Sequence, residues 1–314
     1  MRGKILVIRG GAIGDFILTL PAISALRRQF PEAHLEILGY PHIAQLALAA
    51  GVVNRVQTIE ARGLAGFFAR NGDLAEELVD YFSEFDVILS FLYDPDRIFQ
   101  ENVARCTAAQ FIGGPHRADD SAAIPAAKVY LKPLERLAVF DADAVPRIQL
   151  SKPASPSHQL ALHPGSGSSL KNWPEAKWSE FLLSLKCSTD YQFLLIGGEA
   201  EGDRLKRLSE IFELNSARLK IAQSLPLVEL AELLQNCKWF IGHDSGISHL
   251  AAAVGIPGLI LWGHSSYEVW RPPSMKMRIL QHPTSLEDMP VEAVIEAFRQ
   301  LQEQNAAMSM RKSA

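Results

Sequence analysis

The chain has 314 residues, 48% of them hydrophobic, and 31 Lys+Arg against 35 Asp+Glu give a formal charge of −4. Length alone suggests about two domains of roughly 150 residues each. Residues 1–150 carry 15 basic and 18 acidic side chains and the remainder 16 and 17, so neither half has the basic excess of a nucleic-acid binder.

The N-terminus holds one short apolar run, Ile5 to Ile8, too short for a signal-peptide core. No later stretch approaches the roughly 18 apolar residues of a membrane span. Three cysteines, Cys106, Cys187 and Cys237, show neither a zinc spacing nor an even disulfide framework, and a reduced, cytoplasmic setting is expected. "KILVIRG" predicts a buried strand. A helix follows, with Ile17, Leu20, Ile23, Leu26 and Phe30 on one side. Pro21 is expected in that helix's first turn, capped by Thr19, because a proline in a helix interior is costly. "HLEILGY", "RVQTIE", "DVILSF" and "AQFIGG" predict further strands.

"SKPASPS", residues 151–157, has no apolar periodicity and predicts an interdomain linker. The pattern then restarts. "QLALH", "QFLLIGG", "RLKIA", "KWFIGHD" and "GLILWG" predict strands. "PEAKWSEFLLSLKC", "EGDRLKRLSEIF", "PLVELAELLQN" and "GISHLAAAV" predict helices between them. A closing helix covers "MPVEAVIEAFRQLQEQ", and "NAAMSMRKSA" is expected to be a frayed tail. Strands alternating with helices define an α/β class: two doubly wound, mostly parallel-sheet domains, 1–150 and 158–289, with a site expected outside the carboxyl ends of the strands.

Four strand-to-helix loops have unusual composition. In "RGGAIGDF", Gly11 and Gly14 allow close backbone approach, and Asp15 is either an N-terminal cap or a base facing a cleft. The spacing is not that of a dinucleotide fingerprint. In "HPGSGSSLKNWP", the glycines, Ser166, Ser168, Ser169 and Lys171 either form a phosphate cradle or a flexible loop. Trp173 and Trp178 are assigned to packing. In "IGGEAEGD", Glu199 is either a first-turn acid or an acceptor for sugar hydroxyls, while Glu201 and Asp203 are first-turn acids.

The fourth loop, "GHDSGISHLAAAVGIP", mixes Asp, Ser and His as a catalytic triad does. It lacks the G-x-S-x-G elbow, and the adjacency of Asp244 and Ser245 does not place an orienter behind a base. It does supply a helix N-terminus near Gly246, with the amides of Ser245, Gly246 and Ile247 facing outward. His249, one turn after Ser245, is either part of that anion site or a core histidine. His243 is read as structural.

Together "GAIGDFILTLPAISALR", "LHPGSGSSLKNWP", "LPLVELAELL" and "GHDSGISHLAAAVGIP" resemble glycosyltransferase family 9, the ADP-heptose:lipopolysaccharide heptosyltransferases, in order and across residues 4 to about 270. The resemblance implies a GT-B fold, two Rossmann-like domains facing a central cleft. The acceptor would lie on the first and the nucleotide-sugar on the second, with the closing helix, 290–305, packing back on the first. It implies an inverting transfer with no metal and no cofactor, the donor being an ADP-linked heptose and the acceptor a lipopolysaccharide core or another glycan or lipid-linked acceptor at the inner face of the membrane. Asp15 would be the catalytic base. Lys171, Ser168 and Ser169 would hold the diphosphate with Ser245, Gly246 and His249. Glu199 would meet the ribose and Asp244 the heptose hydroxyls. The chain departs from the family where "FGPTDP" is usual and "WGHSSYEVW" stands instead, with His264, Ser265 and Ser266. A nucleotide-sugar epimerase and a non-catalytic nucleotide-sugar binding protein are the other functions this scaffold would serve.

Overall fold

Strand formation follows from continuous apolar runs, because a parallel sheet covered by helices buries both of its faces. The computed structural model describes residues 3–150, 157–212 and 217–312, with the side chains of Ser169, Ala200 and 308–312 outside that description. Most of the expected linker, 151–156, also lies outside the described residues. The chain divides into two compact units, Met1–Ser151 and Lys152–Ala314.

In the first unit, β1 (Lys4–Arg9), β2 (His34–Gly39), β3 (Arg55–Thr58), β4 (Val87–Ser90) and β5 (Gln110–Gly113) form a parallel sheet in the order β3-β2-β1-β4-β5. Its helices are α1 (Ile13–Gln29), α2 (Pro41–Ala49), α3 (Glu76–Ser83), α4 (Ile98–Ala104) and α5 (Ala126–Leu131). The strand order reverses between β1 and β4, which pair in register from Ile5↔Val87 to Ile8↔Ser90. Leu6 and Ile8 pack with Phe67, Phe82 and Phe99 on one face of this sheet.

Helix α1 differs from expectation. It begins at Ile13 and carries Pro21 in its interior rather than in a first turn. Pro21 is buried in a run that is continuously buried from Phe16 to Ile23. Tertiary packing therefore outweighs the lost hydrogen bond. Thr19 caps nothing at the start; its hydroxyl donates back to the Asp15 carbonyl at 2.8 Å, inside the helix.

In the second unit, β6 (Gln159–His163), β7 (Gln192–Gly197), β8 (Leu219–Gln223), β9 (Trp239–His243), β10 (Gly258–Trp262) and β11 (Met277–Gln281) form a parallel sheet in the order β11-β10-β9-β6-β7-β8. Helices α6 (Glu175–Ser188), α7 (Gly202–Ser209), α8 (Leu227–Leu234), α9 (Gly246–Ala253), α10 (Tyr267–Trp270) and α11 (Val291–Lys312) complete the unit. Here the order reverses between β6 and β9, paired from Leu160↔Trp239 to His163↔Gly242. The loops that leave these two strands carry Ser166, Ser168, Lys171, Asp244 and Ser245.

Helix α11 runs to Lys312, through most of the segment expected to fray. It belongs to the second unit, whereas the resemblance places residues 290–305 on the first. Val291, Val294, Ala297, Phe298 and Leu301 are part of the second unit's core, and the Phe298 ring meets Trp239 edge-on at 5.9 Å. Their helical spacing gathers them on one stripe, and a second-unit sheet face receives it. Among the described residues no helix is long and apolar enough to cross a membrane.

Candidate active site

In open parallel sheets, ligands bind outside the carboxyl ends of the strands where the order reverses. Each unit presents its polar side chains at such a point.

In the first unit, Arg9 ends β1 and Asp15 sits in the first turn of α1. Gly11 takes φ +94°, a left-handed conformation that glycine adopts without strain, and a Cβ there would lie 3.3 Å from Asp15 Oδ2. Gly14 falls within the first turn of α1. The Asp15 carboxylate accepts the Ala12 amide at 3.3 Å, so it caps the helix, and it also remains 24% exposed. The Arg9 guanidinium lies 3.8 Å from the other carboxylate oxygen and donates to the Asp15 carbonyl at 3.2 Å. Sequence reasoning missed Arg9. The available signal was a charged residue closing an otherwise apolar strand.

In the second unit, β6 and β9 end on His163 and His243, both buried. His243 Nε2 accepts the Trp173 amide at 2.9 Å and the Trp178 indole N–H at 3.3 Å, and its Nδ1 faces the Gly165 carbonyl at 3.2 Å. This pattern defines a neutral imidazole with its proton on Nδ1. Burial, followed by the Gly165 hydrogen bond in the opposite sense, leaves its pKa lowered to about 3. Burial, reinforced by nearby Arg204, lowers His163 to about 4. Trp173 and Trp178 are fully buried and pack edge-on at 5.4 Å, as packing residues do. His243 thus fastens the loop after β6 to the end of β9.

Both histidines are neutral when folded, whereas an exposed imidazole protonates near pH 6.5. The unfolded chain therefore binds more protons below that pH, and stability is lost as pH falls from about 6.5 towards the folded values of about 4 and 3. Each histidine contributes a slope of up to about 1.4 kcal/mol per pH unit in that window. Urea midpoints measured from pH 8 to pH 4.5 are expected to fall below pH 6.5. In His243→Leu the chain should be less stable throughout, with a shallower acid slope. An unchanged slope would refute the account.

The loop after β6 is pinned by the Ser166 hydroxyl, which donates to the Ser168 carbonyl at 2.8 Å. Gly165 approaches the turn after β7 so closely that a Cβ would sit 2.3 Å from Glu201 Cγ. Lys171 then reaches Asp244, with Nζ 2.6 Å from Oδ2. The Ser265 hydroxyl donates to that same oxygen at 2.6 Å. The Asp244 side chain is 8% exposed and that of Lys171 is 38% exposed. Ser265 comes from the segment that departs from the family pattern, and sequence reasoning did not include it in the site.

Ser245 is the N-cap of α9, its hydroxyl accepting the Ser248 amide at 3.4 Å. The same hydroxyl lies 3.2 Å from His163 Nδ1. A Ser–His pair does therefore exist, but with a histidine from β6 whose low pKa makes it a poor proton acceptor at neutral pH. The amides of Gly246 and Ile247 have no intrahelical acceptor, as at any helix start. His249 is buried on α9.

The structure thus gathers Lys171, Asp244, Ser245 and the start of α9, with Ser168 on the same loop as Lys171. The Ser169 side chain lies outside the described residues. Glu199 stands apart: it is exposed in the turn after β7 and lines a pocket of about 560 Å3 with Gly202, Lys206 and Gln223. Glu201 turns back to accept the Gly198 amide at 2.9 Å, a local cap. Among the described residues no group of three or more His, Cys, Asp or Glu could hold a metal ion.

Two parallel-sheet α/β units, each with charged residues at its strand-order reversal, fit the GT-B fold of glycosyltransferases. The family model of glycosyltransferase family 9 (heptosyltransferase) matches residues 129–292, more than half of the chain, and the chain belongs to this family. It is 23% identical over 297 residues to lipopolysaccharide heptosyltransferase 3 of Escherichia coli, covering 84% of each chain. It is 36% identical to lipopolysaccharide heptosyltransferase 1 of Salmonella typhimurium over 94 residues, 30% of this chain and 28% of the relative. The solved structure of a glycosyltransferase family 9 protein from Veillonella parvula matches with a TM-score of 0.77 at 18% identity, covering 96% of this chain and 98% of that one. ADP-heptose lps heptosyltransferase II of E. coli matches with a TM-score of 0.74 at 20% identity, covering 96% and 99%. At these identities the structural matches establish the fold.

Proposed function

We propose that this glycosyltransferase moves heptose from an ADP-linked donor to a lipopolysaccharide core or related envelope glycan, with inversion at the anomeric carbon. The observation that carries the donor half is the Lys171–Asp244 contact beside the capped start of α9. A cation, a buried carboxylate and free helix amides then meet where the strand order reverses. Lys171, Ser168, Ser169, His249 and the amides at Ser245 and Gly246 hold the diphosphate. Asp244 accepts hydroxyls of the sugar, and Glu199 accepts those of the ribose.

Transfer requires a base on the acceptor hydroxyl and a stabilised leaving group. Asp15 of the first unit takes the proton as the acceptor oxygen attacks C1. The C1–O bond to the diphosphate breaks, and the charge that develops on the departing ADP falls on Lys171 and the α9 amides. Stabilisation of that developing charge is the largest expected electrostatic contribution. No metal or organic cofactor enters this scheme. The acceptor is lipid-linked, and the enzyme works at the inner face of the membrane as a peripheral protein. Membership of the heptosyltransferase family and the likeness to lipopolysaccharide heptosyltransferases 3 and 1 support the heptosyl donor and the lipopolysaccharide acceptor.

A thermal-shift screen against ADP, UDP, GDP and ADP-sugars tests the donor. ADP at a hundredfold excess over its Kd should stabilise the protein by about 2.7 kcal/mol. Stronger stabilisation by UDP or GDP would overturn the ADP-heptose reading and leave the fold and family standing.

A further inference from the structure

We infer that Arg9 is a positioning residue for the reaction: it aims Asp15 and ties that base to the loops around it. The inference rests on the reading of Asp15 as the base. Arg9 is 2% exposed, at the end of β1. Its guanidinium donates to the His116 carbonyl at 2.7 Å, the Phe91 carbonyl at 3.5 Å and the Asp15 carbonyl at 3.2 Å. Its plane lies over the rings of Tyr130 at 4.7 Å and Phe91 at 5.7 Å. Three chain segments, the start of α1, the end of β4 and the stretch after β5, therefore converge on one side chain.

A guanidinium does not lose its proton in a protein, and a buried charge is costly unless paired. The carboxylate beside it is that of Asp15, 3.8 Å away. The carbonyls satisfy its terminal N–H groups, Nε is left without a partner, and the net charge stays in place. Asp15 therefore compensates the buried cation, and the guanidinium in turn holds the Asp15 backbone and faces its carboxylate. An apolar residue at position 9 would continue the strand equally well but would supply neither the charge nor the fork. The other titratable groups around the pair are Tyr130 on α5, whose hydroxyl burial keeps protonated, and His116, whose ring packs against Tyr93 at 4.6 Å.

The test is the split of kcat from KM in the full-length enzyme, with urea midpoints measured beside it. Arg9→Lys keeps the charge and loses the fork, and should lower kcat severalfold while donor KM and ADP affinity stay within about twofold of wild type. Arg9→Gln should lower kcat further, again with ADP affinity unchanged. A merely structural Arg9 would lower the urea midpoint and leave kcat per folded enzyme at the wild-type value. Wild-type kcat in folded Arg9→Lys and Arg9→Gln overturns the inference. Asp15→Asn separates the two readings: retained turnover refutes the base itself, whereas an inactive Asp15→Asn with wild-type kcat in the Arg9 variants refutes only the role of Arg9.

Discussion

Asp15→Ala is expected to reduce glycosyl transfer by about 10²–10⁴-fold, the range that general-base groups contribute, while ADP affinity stays within about twofold of wild type. The separation follows from placement. Asp15 belongs to the first unit, in the first turn of α1, and the proposed donor contacts all belong to the second. The carboxylate also caps α1 through the Ala12 amide, so Ala will cost some stability, typically about 1 kcal/mol for a lost cap. Asp15→Asn retains an oxygen that can accept from Ala12 but is not basic. Equal inactivity of the two variants, with urea midpoints that differ, would attribute the loss to chemistry rather than to folding. Turnover that survives in Asp15→Asn would remove Asp15 from the role of base.

Lys171→Ala is expected to weaken ADP binding by about tenfold or more, as the loss of one charge-assisted hydrogen bond to phosphate implies. Two effects act in the same direction. The diphosphate loses a cation, and Asp244, deprived of Lys171, presents an unbalanced carboxylate beside it. Ser265 alone then remains on that carboxylate oxygen. Isothermal titration with ADP measures the first effect, and Lys171→Ala/Asp244→Asn measures the second. If repulsion contributes, the double variant should recover part of the affinity lost in the single one. ADP affinity unchanged in Lys171→Ala would sink the phosphate role. Asp244→Asn by itself should leave ADP affinity near wild type and raise KM for the ADP-sugar, since its proposed partners are sugar hydroxyls.

Much of this architecture was legible before any coordinates. Runs such as "KILVIRG" and "QFLLIGG" became buried parallel strands because a strand covered on both faces must be apolar throughout. The start of α9 near Gly246 was legible because Ser245 is a strong N-cap residue, and it caps as such residues do. β11 was missed: "MRILQ" mixes charge and apolar residues at the sheet edge, where only partial burial is required. Pro21 was misplaced because a local propensity was weighed without the packing that overrides it. For α11, Val294, Phe298 and Leu301 join the second unit's core. Periodicity identifies such a stripe but not the surface that receives it.

Local sequence is enough to show two doubly wound units and the loops that carry their polar residues, and to nominate Asp15, Lys171 and Asp244 as candidates. These features are local, set by hydrophobic period, capping and composition over a few neighbouring positions. The partnerships come from the assembled fold: Lys171 with Asp244, Ser265 on the same oxygen, His243 beneath two tryptophans, and Arg9 behind Asp15. Apart from Arg9 and Asp15, these pairs are far apart in the chain. What joins each is the order of strands in a sheet, which brings the ends of β6, β9 and β10, or of β1, β4 and β5, side by side. Even for Arg9, six residues from Asp15, the burial that gives its charge force comes from β4, α5 and the stretch after β5. Desolvation is a property of the assembled core, and no short stretch of sequence contains it.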